Sequence, residues 1–323
     1  MARRIDYGRI AVILSVIIFL IFAADFIRRA YHDWRGQNGQ LIVQTNSGID
    51  PYGTSLPPTT PDHQSSTTTT TTTTSNPDEN LPKLTLLGSE VYTGSLVLVN
   101  ETLHWQGQSA LVAFSELNYA NFRLPTRSLQ ISKSMSNDLI RMFNDFYAAT
   151  SLGNVMIYAT TEMPKAAAYQ VSMPERASGL SIDLALWDET SGTHSPYQPN
   201  GNYGWLQSHC AEYGFVQRYT AEKAEQTGME QQVWHYRYVG IPHAQYMTQQ
   251  NLCLEEYLEL LRTTHGADAP LSITANNGTY TVYYVPAADG GGMTEVTVPK
   301  NLPITVSGDN QGGYIICIQN ANS

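Results

Sequence analysis

The residues with the most suggestive chemistry lie in one stretch, residues 227–240, which reads TGMEQQVWHYRYVG. It places His235 and Arg237 among the aromatic side chains Trp234, Tyr236 and Tyr238. The alternation of large apolar and polar residues predicts a strand with one face in a core. A histidine in such a strand is either a hydrogen-bonded core residue or a functional group. Taken alone, His235 favours the core, so neighbouring motifs must decide.

Two further stretches supply that context: residues 174–184 (PERASGLSIDL) and residues 205–219 (WLQSHCAEYGFVQRY). With residues 227–240 they resemble the zinc D-alanyl-D-alanine carboxypeptidases of the VanY type. That family has the motifs S-x-H-x-x-G-x-A-x-D, W-L-x-x-x-A-x-x-Y-G-F-x-x-R-Y and T-G-x-x-x-E-P-W-H-x-R-Y-V-G. The resemblance covers roughly residues 92–266. It implies an α+β fold in which helices pack on a small antiparallel sheet that carries the zinc site.

The resemblance also implies roles for individual residues. In the family, zinc is held by the His and Asp of the first motif and by the His that follows Trp. The Asp falls on Asp183 and the second His on His235, so both ligand positions are retained. The first His falls on Arg176, and the general-base Glu falls on Gln232. An arginine that contacts substrate in the family falls on or near Glu162.

These differences are severe in chemical terms. Arginine stays protonated in proteins and has no lone pair to offer a metal. The two remaining ligands are fewer than a catalytic zinc site uses. A glutamine cannot take up a proton at neutral pH, and loss of a general base costs about 10²–10⁴ in rate. A carboxylate at Glu162 repels the terminal carboxylate of a substrate. We therefore expect a degenerate site with no cofactor, and zinc only if the site still functions.

The differences also fit one another. We expect Arg176 to pair with Asp183 and to occupy the volume of a histidine and its metal ion, with Glu162 able to join them. The alternative is a shifted alignment in which the missing ligand is another histidine: His194, His209 or His243. Glu230 lies two residues before Gln232. If the strand extends that far, Glu230 faces the same side and could replace the base.

Composition limits the classes of protein to consider. The chain has 323 residues and a net charge of −10, which excludes a nucleic-acid binder with a basic face. Residues 10–24 are uniformly apolar and follow three arginines, which predicts a membrane anchor with its N-terminus inside, while a cleaved signal peptide is the alternative. Cysteines Cys210, Cys253 and Cys317 lack metal-site spacing. The sequence allows two alternatives: a disulfide between Cys210 and Cys253, or buried free thiols.

The chain is expected to divide into four parts: an anchor (1–35), a Thr/Pro/Ser-rich disordered stalk (36–82), the carboxypeptidase-like domain (83–266) and a small β appendage (267–323). Strands are predicted at 91–100 and 154–159. Helices are predicted at 135–149, with Ser134 or Ser136 as N-cap, and at 254–261. In the appendage, strands are predicted at 271–275, 279–285, 294–298 and 314–319, the first two joined by a tight Asn-Gly turn.

The leading functional interpretation is a membrane-anchored, extracytoplasmic, catalytically inactive relative of these carboxypeptidases. It would bind peptidoglycan or another envelope protein through the former cleft. Trp234 and Arg237 are candidate substrate-binding residues. Trp205, Tyr213 and Tyr236 are further candidates for the cleft wall, although core packing is the more common place for aromatic side chains. The alternative is an active zinc-dependent enzyme that trims peptidoglycan stem peptides. A third interpretation is a purely structural envelope protein.

Overall fold

The computed structural model describes residues 81–161 and 173–321. Its central sheet is antiparallel, with strand order β4-β5-β8-β7 and a further strand, β6, paired with β5. These strands are β4 (Val155–Ala159), β5 (Ser181–Asp188), β6 (Thr193–Pro196), β7 (Phe215–Tyr219) and β8 (Gln232–Tyr238). The strands predicted at 154–159 and within 227–240 are confirmed. Upstream lie three short strands, β1 (Lys83–Leu86), β2 (Leu111–Ala113) and β3 (Gln130–Ser132).

Helix α1 (Ser136–Thr150) covers one face of this sheet. Its buried residues Leu139, Met142, Phe143 and Phe146 follow the three- and four-residue spacing of an amphipathic helix, as predicted. The predicted cap is wrong. Met135 occupies the N-cap position, and the Ser136 hydroxyl donates to the Lys133 carbonyl at 2.9 Å instead.

Residues 173–321 contain four more helices: α2 (Gly204–His209), α3 (Ala224–Thr227), α4 (Ile241–Gln249) and α5 (Leu254–Thr264). Helix α4 begins with Ile241 and Pro242, where proline is tolerated because the first turn needs no amide donor. Helix α5 confirms the helix predicted at 254–261. Its buried stripe of Leu254, Tyr257, Leu258 and Leu261 points into a second hydrophobic cluster.

The C-terminal strands are β9 (Leu271–Ala275), β10 (Gly278–Pro286), β11 (Thr294–Thr297), β12 (Ile304–Gly308) and β13 (Gly313–Gln319). They form a four-stranded antiparallel sheet, β12-β13-β10-β9, while β11 pairs with β1. The four predicted strands and the tight turn before β10 are therefore confirmed. Ile273, Val282 and Ile315 share the second hydrophobic cluster with helices α4 and α5. The C-terminal sheet thus packs on the preceding helices, and the domain division at residue 266 remains a prediction.

The strand predicted at 91–100 is wrong. A 3-10 turn covers Gly88–Tyr92, and the buried residues that follow it form no ladder with a neighbouring strand. Separate contacts satisfy this backbone instead, some from the main chain of residues 308–310 and some from side chains. Arg237 donates to the carbonyls of Ser95 and Val97, each at 3.0 Å, and Asn310 donates to the Leu98 carbonyl at 2.8 Å. The apolar composition of the segment reflects its burial and not strand pairing.

Several predictions concern residues that the structure does not describe. The anchor (1–35), the stalk up to residue 80 and Glu162 lie outside the described ranges. Within those ranges, no helix is both long enough and apolar enough to cross a bilayer. All three cysteines are described, and Cys210, Cys253 and Cys317 are buried and unpaired. The Cys210–Cys253 disulfide is therefore absent, and the free-thiol alternative is the one observed.

Candidate active site

The register of two central strands brings the motif residues together. Asp183 on β5 lies directly opposite His235 on β8, and Ser181 lies opposite Arg237. Directly opposed residues project to the same face of a sheet, so these side chains are neighbours. A 3-10 turn, Pro174–Ser178, precedes β5 and closes at Gly179. Gly179 has a φ of +69°, and a Cβ there would lie 2.5 Å from Leu111 Cδ2, so only glycine fits.

The pairing expected between Arg176 and Asp183 is present. The Arg176 guanidinium contacts Asp183 Oδ2, and His235 Nδ1 lies 2.5 Å from Asp183 Oδ1. Asp183 and His235 are fully buried, and Arg176 is 7% exposed. The two retained ligand positions and the substituted one therefore form a single buried cluster.

A residue that the sequence analysis missed, Glu175, completes this cluster. It is fully buried, and its Oε1 lies 2.5 Å from His235 Nε2. Its Oε2 accepts from Arg218 Nε at 3.1 Å and from Arg237 Nη1 at 3.4 Å. The available signal was Arg218, an arginine in the YGFVQRY motif: the structure buries it, and a buried cation requires an anionic partner.

Arg218 extends the network to another element. Its two terminal nitrogens form a bidentate pair with Glu255 on α5, at 2.9 Å and 2.6 Å. The ring of Tyr219 stacks over His235, with 5.4 Å between ring centroids. The network thus joins the Pro174–Ser178 turn, β5, β7, β8 and helix α5. We refer to Glu175, Arg176, Asp183, Arg218, His235, Arg237 and Glu255 as the ion-pair network.

The electrostatics of the network fix two protonation states. Burial favours neutral His235, but the carboxylates of Asp183 and Glu175 outweigh burial and raise the pKa of the imidazole above its usual value. Burial likewise disfavours ionised Glu175. Arg218, His235 and Arg237 outweigh that cost and hold the pKa of this carboxyl well below its usual range. The imidazolium therefore donates from both nitrogens to two carboxylates.

This donor set does not fit a catalytic zinc ion. Such an ion needs three protein ligands with ligand–metal distances of about 2.0–2.2 Å. Arg176 has no lone pair, and Asp183 and His235 are engaged in a direct hydrogen bond. Glu175 lies on the opposite nitrogen of His235, so it cannot share an ion bound by the Asp183 side. In residues 81–161 and 173–321, no group of three or more His, Cys, Asp or Glu side chains is placed to hold a metal.

The three alternative histidines lie in other surroundings. His209 stacks on Trp205 with 4.4 Å between centroids, and its Nδ1 lies 2.9 Å from the Trp205 carbonyl. His243 Nδ1 lies 2.8 Å from the Tyr257 hydroxyl in the second hydrophobic cluster. His194 lies on β6 and packs against Tyr158. The structure brings none of the three to the Asp183–His235 pair, so it gives no support to a shifted alignment.

The general-base position also has a defined environment. Gln232 pairs with Tyr219 across β7 and β8, just beyond an irregularity in the register, and the ring of Tyr219 stacks on His235. Gln232 is 7% exposed, and its Oε1 has no hydrogen-bond partner among the described residues. Glu230 is exposed and precedes the strand, so the condition under which it would share a strand face with Gln232 is not met.

The remaining candidate residues serve the fold. Arg237 is fully buried and binds main-chain carbonyls as well as Glu175, which argues against contact with a substrate. Tyr213 and Tyr236 lie in the main hydrophobic core, and the half-buried Trp205 and Trp234 pack against it. Core packing therefore takes up the two tyrosines, which is the more common place for such side chains.

Comparison with known proteins gives a consistent result. Residues 134–241 match the family model "VanY: D-alanyl-D-alanine carboxypeptidase". A D-alanyl-D-alanine carboxypeptidase of Enterococcus faecium is 29% identical over 262 residues, covering 76% of this chain and 81% of that protein. A second D-alanyl-D-alanine carboxypeptidase, from Enterococcus faecalis (strain ATCC 700802 / V583), is 38% identical over 104 residues, which cover 31% of this chain and 37% of that protein.

A solved structure supports the fold. The vancomycin resistance D,D-dipeptidase VanXYg, in complex with a D-Ala-D-Ala phosphinate analogue, superposes with a TM-score of 0.62. The match covers 74% of this chain and 99% of that one at 24% identity. At this level of identity the likeness shows the mixed α+β fold, and the chemistry of the site must be argued from its own residues.

Proposed function

The chain carries a domain of the VanY D-alanyl-D-alanine carboxypeptidase family, and on this premise we propose that it is a metal-free, non-hydrolysing member. In this proposal the domain binds peptidoglycan or another protein of the cell envelope. It acts outside the membrane, anchored by residues 1–35 and extended on the stalk of residues 36–82. The proposal combines the family, the composition of the N-terminal residues and the chemistry of the ion-pair network.

The observation that carries the proposal is the contact of Arg176 with Asp183 beside His235. A zinc hydrolase uses its metal to lower the pKa of a bound water and a carboxylate to take the proton. Arg176 supplies neither a ligand nor an open coordination position. Gln232 cannot act as the base, and the exposed Glu230 lies outside the strand. Each missing function alone is sufficient to reduce hydrolysis strongly.

Binding of peptidoglycan is supported by the family and by the relatives, which are named as D-alanyl-D-alanine carboxypeptidases. A fold shaped for a stem peptide can retain recognition after it loses chemistry, because contacts with the non-reacting parts of a substrate contribute to binding whether or not the chemical step occurs. The buried ion-pair network itself is closed to a ligand, since Asp183 and His235 have no exposure. Recognition must therefore use the surface around the network.

The second candidate is an active zinc-dependent carboxypeptidase, favoured by the retained Asp183 and His235. The two candidates separate in one experiment on the full-length chain in detergent. We expect no release of D-alanine from a stem pentapeptide ending in D-Ala-D-Ala, with or without added zinc, and retention of the chain on insoluble peptidoglycan. Zinc-dependent release of D-alanine would establish the active enzyme. If the chain neither releases D-alanine nor is retained on peptidoglycan, the remaining interpretation is a purely structural envelope protein.

A further inference from the structure

The contacts of His235 are those of a metal-binding imidazole on one side and of a salt bridge on the other. A metal-bound histidine generally donates its second N–H to a carboxylate, which orients the ring. Glu175 has this relation to His235 Nε2, at 2.5 Å, and Arg218 holds Glu175 in turn at 3.1 Å. This orienting shell is fully buried and ion-paired. It leaves His235 Nδ1 directed at Asp183.

On the Nδ1 side of His235, the cation beside Asp183 is a side chain of the protein itself. Arg176 reaches one oxygen of Asp183 while His235 reaches the other. Both ring nitrogens of His235 face carboxyl oxygens, Asp183 Oδ1 and Glu175 Oε1. The positive charge beside Asp183 is thus supplied by a side chain of the protein.

From this geometry we infer that the Arg176 guanidinium is a covalently attached substitute for a divalent metal ion, held in a shell that is otherwise arranged for a metal. The inference rests on the proposed function, in which the wild-type site is metal-free. It adds that the metal was lost through one ligand position and that the orienting residues Glu175 and Arg218 are intact. Replacing Arg176 by a lone-pair donor then creates a three-ligand zinc site in a single step.

The decisive variant is Arg176→His, compared with two controls. Arg176→Gln removes the guanidinium charge without supplying an imidazole ligand. The double variant Arg176→His/Asp183→Asn keeps the new histidine but removes the carboxylate ligand. Full-length wild type and the three variants are dialysed against zinc, then against metal-free buffer, and analysed for bound zinc. Their melting temperatures are recorded with zinc and with excess chelator.

We expect about one zinc per chain in Arg176→His and little in the other three proteins. Zinc at a hundredfold excess over its dissociation constant should raise the melting temperature of Arg176→His by roughly 5–10 °C, and chelator should reverse the rise. Cobalt substitution should give the visible absorption of a tetrahedral site in Arg176→His alone. This readout reports coordination and does not depend on catalysis.

Several outcomes would overturn the inference. A folded Arg176→His protein that retains no zinc contradicts it while leaving the metal-free wild type, and hence the proposed function, intact. Stoichiometric zinc in wild type contradicts both. If Arg176→His does not fold without metal, it is refolded with and without zinc beside Arg176→Gln. Zinc-dependent recovery confined to Arg176→His supports the inference, and equal recovery of the two variants contradicts it.

Discussion

Asp183 and His235 face each other across strands β5 and β8 and share a hydrogen bond of 2.5 Å, while Arg176 contacts the second oxygen of Asp183. In a zinc enzyme an ion lies between such a pair and holds it together. Here a proton and a guanidinium do so. Four predictions follow from this arrangement and its surroundings, each with its own measurement.

Removing the guanidinium should destabilise the fold strongly. Arg176→Met leaves the fully buried Asp183 with His235 as its remaining ionic partner among the contacts described, and breaking a buried pair costs about 3–5 kcal/mol. Arg123→Met is the matched control, because Arg123 pairs with Glu189 on the surface, where loss costs at most about 1 kcal/mol. Chemical denaturation of both variants gives the two free energies of unfolding. If both variants lose the same small amount of unfolding free energy, the Arg176–Asp183 pair does not stabilise the fold more than a surface ion pair does.

Neutralising the missed carboxylate should have a comparable effect. Glu175→Gln leaves Arg218, Arg237 and His235 around an uncharged amide, so we expect a loss of several kcal/mol in the free energy of unfolding. Glu259→Gln serves as control because Glu259 forms an exposed pair with Arg262. Denaturant titration compares the two. A loss from Glu175→Gln no greater than that of the control would contradict the central position assigned to Glu175.

Restoring the base alone should not restore chemistry. Gln232→Glu places a carboxylate opposite Tyr219, whose ring stacks on His235, but Arg176 still prevents three-ligand coordination. We expect no release of D-alanine from a D-Ala-D-Ala stem peptide, assayed with added zinc against the wild-type chain. Gln231→Glu is the matched control, since residue 231 is exposed and precedes the strand. Zinc-dependent hydrolysis by Gln232→Glu would show that Arg176 does not block the site.

His243 should make stability sensitive to mild acid. Burial lowers the pKa of its imidazole from 6.5 to about 4. Between these pH values the unfolded chain takes up a proton that the folded chain does not. The contribution of His243 to the free energy of unfolding is therefore complete above pH 6.5 and is lost as the pH falls towards 4. The loss amounts to about 3 kcal/mol.

The test uses His243→Gln, which keeps a hydrogen-bonding group for Tyr257 but does not titrate. We expect the free energy of unfolding of this variant to fall less steeply than that of wild type between pH 7 and pH 4. Parallel pH profiles for the two proteins would mean that His243 is accessible to protons in the folded state.

Much of the fold could be predicted from sequence where local pattern decides the structure. The stripe of Leu139, Met142 and Phe146 indicated helix α1, and the Asn-Gly turn indicated the hairpin that leads into β10. Residues 91–100 show the limit, because their apolar composition is typical of both a strand and a buried irregular segment. Their backbone is bonded by the Arg237 and Asn310 side chains and by the main chain of residues 308–310, and no local pattern indicates these long-range contacts.

Some residues of the site could also be predicted from local motifs, while others depend on long-range contacts. Motif spacing placed Asp183, His235, Arg176 and Gln232, and the structure brings the first three into contact. Glu175 and Arg218 were missed because their role depends on a contact between residues 43 positions apart. Side-chain type left Tyr213 and Tyr236 open between a cleft and the core, and the structure places both in the core. Whether an aromatic residue faces a core or a cleft depends on the packing of several elements, which the sequence does not display.

The central claim is that Arg176 has replaced a metal ion, and the zinc content of the wild-type chain tests it most directly. The full-length protein is saturated with zinc, dialysed against metal-free buffer and analysed for bound metal. We predict far less than one zinc per chain, together with a melting temperature that chelator does not change. Close to one zinc per chain, removed by chelator with a fall in melting temperature, would contradict the claim and make the active carboxypeptidase the leading interpretation.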